Sequence, residues 1–314
     1  MEVIRAGVLG FCMGVRRAVN MAVQLTACER QDEQNNRHIY TLGPLIHNQA
    51  VLEDLNKQGI RILDENEALE RPEDSTVIIR AHGVPPLVEE KLARLGARIL
   101  DATCPHVKAS QNKARSFAER GYRIFLAGEK NHGEIAGIRG YAEAAGLPTG
   151  LHEGSIPDGD SRCYVVGSPE EAELSAAELY QKNPGAKTAL IGQTTIMSGE
   201  YRAIGERIRH FFPDLETVNT ICGGTADRQD ALRELCSRVD AVIVAGSRES
   251  ANTRRLLSLA AELGKPAWLT ETPADLPSEI GNFKTVGLSA GASTPDSLID
   301  GIEKALKHLA AVKQ

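Results

Sequence analysis

Three of the six cysteines stand where a strand-like run gives way to a loop. Cys12 lies in Gly10-Phe11-Cys12-Met13-Gly14 after the apolar start of the chain. Cys104 lies in Asp101-Ala102-Thr103-Cys104-Pro105 after Ile99-Leu100, and Cys222 lies in Thr220-Ile221-Cys222-Gly223-Gly224 ahead of a helical stretch. Backbone N–H groups converge at such corners, so a thiolate there is a competent metal ligand or nucleophile. About one of these cysteines falls in each third of the chain. Cluster motifs of the ferredoxin kind and zinc knuckles use closely spaced pairs, and this spacing fits neither. It permits a site where three domains meet, with three thiolates on a cubane that leaves one iron open. It also leaves room for a Cys₃His zinc site, or for three unrelated thiols. Cys28 and Cys236 fall in helical stretches and Cys163 in the strand-like Cys163-Tyr164-Val165-Val166, where a small buried hydrophobe is the expected role.

The elements that must position such residues recur along the chain. Val77-Ile78-Ile79 leads into Arg80-Ala81-His82-Gly83, Ile124-Phe125-Leu126 into Gly128 and His132, and Ala189-Leu190-Ile191 into Gln193-Thr194-Thr195. Val242-Ile243-Val244 leads into Gly246-Ser247, and Val286-Gly287-Leu288 into Ser289-Ala290-Gly291. Continuous apolar runs of this length, alternating with amphipathic helices such as 226–239, indicate βαβ units with buried parallel strands. The fold class is α/β. Ligands of such sheets sit beyond the carboxyl ends of the strands, where loops meet helix N-termini, and the His, Thr and Ser residues just named occupy that edge. No GxGxxG stands between a strand and a helix and no GxxxxGK[ST] occurs, so any phosphate must be held another way.

A chain of 314 residues, 42% hydrophobic and 25% charged, has ordinary globular composition and room for two or three domains. The net charge of −6, with only six Phe, six Tyr and one Trp, lacks the basic groove and stacking surfaces of a nucleic-acid binder. No apolar run approaches the roughly 18 residues of a membrane span, and the thinly spread cysteines suit reduced thiols, so a cytoplasmic location without nucleic-acid or membrane partners is expected. The Gly- and Pro-rich stretch 146–161 reads as an irregular excursion. Three consecutive domains are expected at 1–103 with Cys12, 104–219 with Cys104, and 220–314 with Cys222 and a C-terminal helix.

Taken together, ten blocks give the chain a family likeness. They are Gly10-Phe11-Cys12-x-Gly14-Val15-x-Arg17-Ala18, Gly43-Pro44-Leu45-Ile46-His47-Asn48, Ala81-His82-Gly83-Val84, Asp101-Ala102-Thr103-Cys104-Pro105, His132-x-Glu134, Gln193-Thr194-Thr195, Thr220-Ile221-Cys222, Arg228-Gln229, Gly246-Ser247 with Asn252, and Ala290-Gly291-Ala292-Ser293. In this order and spacing the chain resembles the LytB/IspH family of 4-hydroxy-3-methylbut-2-enyl diphosphate reductases, over roughly residues 3–307.

The resemblance implies a trefoil of three similar α/β domains, with mainly parallel sheets, around a central [4Fe-4S] cluster. Its ligands would be Cys12, Cys104 and Cys222, with one open iron facing the C4 hydroxyl of an allylic diphosphate substrate. Two electrons from a ferredoxin or flavodoxin and two protons would remove that hydroxyl as water, giving isopentenyl and dimethylallyl diphosphate. By the same matching His47, His82, Ser250, Asn252 and Ser293 would hold the diphosphate with His132 beside it, and Glu134 and Thr194 would deliver the proton.

These residue types suit that chemistry on their own terms. A diphosphate without a P-loop needs dispersed imidazole, hydroxyl and amide donors and helix N-termini, such as the one expected at Ser293-Thr294-Pro295-Asp296 with Pro at the first helical position. Expelling hydroxide from an allylic carbon needs a general acid within hydrogen-bond reach. His38, His106, His152, His210 and His308 lack comparable context and read as surface or loop residues. Ser250 and Asn252 are also placed to cap a helix starting near Thr253.

The chain departs from the family pattern at several positions. Gly133 stands for a usual Pro, Gly223 for a bulkier residue, Gly224 for Ala, Asp227 for Asn, Ala251 for Ser and Ser289 for Thr. A non-catalytic iron-sulfur sensor on the same fold, or a paralogue acting on another allylic diphosphate, is the alternative function.

Overall fold

A computed structural model describes every residue except 32–36, 65, 66, 68, 70, 146–160, 313 and 314. Strands and helices alternate along it as β1 (Glu2–Arg5), α1 (Met13–Gln31), β2 (His38–Leu42), α2 (Gln49–Lys57), β3 (Ile60–Leu63), β4 (Ser75–Ile79), α3 (Pro86–Arg94), β5 (Arg98–Asp101), α4 (Pro105–Glu119), β6 (Arg123–Ala127) and α5 (Gly133–Glu143). The order continues with β7 (Cys163–Val166), α6 (Pro169–Lys182), β8 (Thr188–Gly192), α7 (Ser198–Arg209), β9 (Glu216–Val218), α8 (Gly223–Cys236), β10 (Ala241–Ala245), α9 (Ala251–Glu262), β11 (Ala267–Thr270), β12 (Thr285–Ala290) and α10 (Asp296–Val312).

Among the described residues the strands form three four-stranded parallel sheets, ordered β1-β12-β10-β11, β3-β2-β4-β5 and β7-β6-β8-β9. Position in the sheet explains strand composition. The interior strands β4 (STVII), β8 (TALIG) and β10 (AVIVA) are buried at every residue, because helices cover both faces of a parallel sheet. The edge strands β1 and β9 are exposed in part and correspondingly more polar.

Two compact units can be described. The first comprises Met1–Arg16, Ile46–Leu55 and Cys222–Gln314 and contains the sheet β1-β12-β10-β11. Ile243, Val286 and Leu288 of that sheet pack against Ile299, Ile302 and Leu306 of α10. The second unit comprises Arg17–Leu45 and Asn56–Ile221 and contains the other two sheets. One of these has its core around Leu42, Val77 and Ile79. The other is covered on one face by α4 and α5 through Phe117, Ile135 and Ile138, and on the other by α6 and α7 through Leu179, Ile204 and Ile208.

Sheet pairing does not follow the consecutive division expected from chain order. β1 belongs to the C-terminal sheet, pairing with β12 from Glu2 with Thr285 to Arg5 with Leu288, so 1–103 is not one sheet with its helices. The Glu2 N–H donates to Lys284 O at 2.8 Å, and the N–H of Ala6, just past the strand, to Leu288 O at 2.9 Å. Cys12 follows β1 into the same unit as Cys222.

Helix α10 begins at Asp296, so Pro295 directly precedes the first helical residue. Cys28 is exposed on α1, where the sequence reading expected a buried role, while Cys163 and Cys236 are buried. The excursion at 146–161 lies outside the described residues apart from Ser161, and His152 lies outside them too. Among the described residues no helix is long and apolar enough to cross a membrane.

Candidate functional site

In the first unit the loop after β1 carries Cys12. Its backbone N–H is bonded to Ala292 O at 3.0 Å, and its Sγ accepts the Val15 N–H at 3.4 Å, at the start of α1. Cys222 is the N-cap of α8, with its carbonyl accepting from Thr225 at 2.8 Å and from Ala226 at 3.1 Å. Both cysteines lie close to Gly224, where a methyl group would stand 3.8 Å from Cys222 Sγ and 3.9 Å from Cys12 Cβ.

Beside them is Arg228, 3% exposed. Its Nη1 donates to Gly224 O and its Nη2 to Gly10 O, while Nε is buried without a partner among the described residues. Burial holds the guanidinium below its ordinary pKa, and the negative charges of Cys12, Cys222 and Asp227 oppose that effect. A buried cation with an unused donor beside two thiols suits an anionic centre held by thiolates.

The same unit brings together His47, Ser250, Asn252 and Ser293 beyond the carboxyl ends of β10 and β12. Ser293 Oγ donates to His47 O at 3.0 Å, and His47 Nδ1 lies 3.9 Å from the Glu249 carboxylate. Ser250 caps α9 by accepting the Thr253 N–H at 3.3 Å. Asn252 is 4% exposed, with its Nδ2 buried and without a partner among the described residues.

The second unit carries Cys104, His82, His132, Glu134 and Thr194, again at strand ends. Cys104 is the N-cap of α4 ahead of Pro105, and its N–H donates to Ala81 O at 2.9 Å, which ties its loop to the one carrying His82. The preceding residues are anchored as well. Thr103 N–H donates to Asp101 Oδ1 at 2.9 Å, Arg17 Nη1 donates to Thr103 O at 3.2 Å, and Lys108 Nζ reaches Asp101 at 3.0 Å and Tyr141 at 2.9 Å. Although burial opposes its charge, Lys108 is held above the ordinary lysine range by Tyr141, Asp101 and Glu89.

His132 is the N-cap of α5 and its Nδ1 accepts the Glu134 N–H at 3.2 Å. With Nδ1 accepting, the neutral ring carries its proton on Nε2 and presents that N–H as a donor. The rings of His82 and His132 meet edge to face at 5.0 Å. Glu134, 2% exposed, accepts twice from Thr194: the backbone N–H at 2.6 Å and the hydroxyl at 2.9 Å. Gln193, just after β8, holds this corner, with its N–H on Ala127 O at 2.8 Å and its Oε1 accepting from Glu129 at 3.1 Å. A carboxyl group fixed by a hydroxyl inside a protein is equipped to pass one proton to a neighbouring oxygen.

The sequence profile of the LytB protein family matches residues 3–307. The chain belongs to the LytB family. Named 4-hydroxy-3-methylbut-2-enyl diphosphate reductases resemble it throughout. The one from Treponema denticola is 42% identical over 98% of this chain and 99% of its own, and that from Treponema pallidum strain Nichols is 43% identical over 97% and 83%. Among solved structures, the E-1-hydroxy-2-methyl-but-2-enyl-4-diphosphate reductase of Plasmodium falciparum superposes with a TM-score of 0.82 at 25% identity, covering all of this chain and 88% of that one. The (E)-4-hydroxy-3-methyl-but-2-enyl diphosphate reductase described as the terminal enzyme of the non-mevalonate pathway gives 0.65 at 33% identity, over 98% and 100%.

Within this LytB protein, some residues had no role assigned from sequence. The sequence alone gives Arg228 no task; its burial beside Cys12 and Cys222 supplies one. Lys108 and Asp101 brace the Cys104 loop, and only their meeting in space reveals it. His38, His106, His210 and His308 are exposed, as the sequence reading had them.

Proposed function

We propose that this LytB protein is the reductase that removes the C4 hydroxyl of (E)-4-hydroxy-3-methylbut-2-enyl diphosphate, releasing isopentenyl and dimethylallyl diphosphate at the last step of the non-mevalonate isoprenoid route. It is an oxidoreductase with an iron-sulfur cofactor. The observation that carries the reading is the buried carboxyl of Glu134 doubly bonded by Thr194, because reductive loss of a hydroxyl as water needs a proton donor screened from solvent.

Cys12, Cys104 and Cys222 would hold the cofactor as a [4Fe-4S] centre with one open iron. When bound, this centre supplies single electrons and a Lewis-acid site for the substrate oxygen. The other residues bind and protonate. His47, His82, Ser250, Asn252 and Ser293 take the diphosphate, with the Nε2–H of His132 as a further donor, which supports a P-loop-free anion site. For the transfer the Oγ–Oε2 hydrogen bond reverses: the Thr194 hydroxyl turns its proton toward the departing oxygen, and protonated Glu134 donates to Thr194 Oγ as that hydroxyl proton leaves. One proton thus completes water. The second, with the two electrons, ends on the allylic carbon skeleton, so the overall change consumes two electrons and two protons. A ferredoxin or flavodoxin is the electron donor, and the setting is the cytoplasm.

The test is purification without oxygen, analysis for iron, sulfide and zinc, and turnover of the hydroxylated diphosphate with a chemical reductant. Iron and sulfide with turnover support the reading. Iron and sulfide without turnover point to a sensor, and zinc without sulfide to a structural site.

A further inference from the structure

Arg80 directly follows β4 and stands two residues before His82. We propose that it is a positioning residue, one that sets His82 and His132 together for an anionic group of the substrate. The turn 80–83, which carries His82, is closed by Arg80 from two directions. Its backbone carbonyl accepts the Gly83 N–H at 2.9 Å, and its side-chain Nε–H donates to the Gly83 carbonyl at 3.3 Å.

The guanidinium then occupies space that two glycines leave open. A methyl group at Gly43, whose φ is +66°, would fall 2.5 Å from Nη1. One at Gly133 would fall 3.0 Å from Nη2 and 3.2 Å from Cζ and Nε. Gly133 is the first residue of α5 and the neighbour of His132. Arg80 therefore binds the turn of one histidine and lies against the helix start of the other, while the two rings meet at 5.0 Å. A planar guanidinium with fixed donor directions can do this. The compact ammonium of lysine, on a flexible stem, cannot reach a carbonyl with Nε geometry and fill the same flat space.

Two explanations of an arginine here make different demands. If it contributed only positive charge near an anion, lysine would serve nearly as well. If it positions the histidines, lysine and methionine fail alike. The proposal rests on the reductase reading only in naming the anion as the substrate's diphosphate, so inorganic pyrophosphate is used as an independent probe.

The experiment takes the oxygen-free holoenzyme and its Arg80→Lys, Arg80→Met and Gly133→Ala variants. It measures KM and kcat for the allylic diphosphate, the pyrophosphate dissociation constant, and iron content. For both Arg80 variants the expected result is KM and the pyrophosphate constant raised about tenfold, with kcat within about twofold and iron unchanged. Gly133→Ala, which displaces the guanidinium by a few tenths of an ångström, should raise both constants about threefold. Wild-type values in Arg80→Lys overturn the proposal in favour of plain charge, and a loss of kcat at unchanged KM overturns it in favour of a part in the chemistry. Should the Arg80 variants fail to fold, Gly133→Ala decides, and an unchanged pyrophosphate constant there overturns the proposal. Absence of turnover in the wild-type protein would sink the reductase reading while the pyrophosphate measurements still judge Arg80.

Discussion

Thr194 meets both oxygens of the Glu134 carboxylate, its N–H on Oε1 and its hydroxyl on Oε2, so neither oxygen can rotate without losing a bond. Glu134→Gln keeps the shape and one acceptor but cannot supply a proton. Turnover should fall about 10²- to 10⁴-fold, the usual weight of a positioned general acid, with iron and sulfide content unchanged. Thr194→Val, which keeps the backbone bond but removes the hydroxyl through which the proton passes, should fall by a comparable factor. The measurement is steady-state reduction of the allylic diphosphate, and normal turnover in Glu134→Gln would remove that residue from proton delivery.

The cysteines divide by environment. Cys12 and Cys222 lie near Arg228 and Cys104 heads α4, whereas Cys163 and Cys236 are buried and Cys28 is exposed. Burial also pushes the Cys163 and Cys236 thiols upward in pKa, away from the thiolate that a metal ligand needs. Serine at 12, 104 or 222 should cut iron and sulfide after oxygen-free purification. Alanine at 236 should cost only packing, on the order of 1 kcal/mol in unfolding, and alanine at 28 should change neither. Loss of iron from Cys236→Ala without unfolding would break this division.

Asp101 gives the Cys104 loop a pH-dependent brace. Burial works against its charge, but Thr103 and Lys108 outweigh that and hold the carboxyl below its ordinary value of 3.8. A depressed folded-state pKa stabilises above the unfolded-state value and is lost as pH falls through the folded one. Asp101→Asn should therefore lower the unfolding temperature at neutral pH, and its difference from wild type should shrink below about pH 4. Parallel thermal unfolding curves across that range are the check, and a difference that stays constant with pH would refute the assignment.

How far the sequence disclosed this depends on the range of each interaction. β4, β8 and β10 announced themselves because an interior parallel strand is buried on both faces, which local composition records. The partner of β1 was hidden. Nothing in four residues encodes pairing with Thr285 to Leu288, and chain order suggested a nearer sheet. Glu134 and Thr194 were legible as residues at strand ends inside recognisable blocks. Arg80 was not, since an arginine after a strand reads as a solvated cation until Gly43 and Gly133, distant in sequence, are seen to make room for it. Cys28 was misjudged because the helical stretch around it does not by itself tell its covered face from its open one.

Gly83 and Gln111 offer a test of how the His82 turn is supported from below. Gly83 has φ of +69°, a left-handed conformation that costs a residue with a Cβ roughly 1–2 kcal/mol. A methyl group there would also meet the Gln111 amide nitrogen. Gln111 is wholly buried and its amide occupies the space beside Gly83. Gly83→Ala should lower stability by more than the conformational cost alone, and should raise KM for the diphosphate by moving His82. Gln111→Ala in the same protein should relieve the collision but leave the backbone strain, so the double variant should be more stable than the sum of the two single changes predicts. Denaturant unfolding of all four proteins measures that coupling. Strict additivity would mean that Gln111 does not set the space above it, and that the glycine is required for its backbone angle alone.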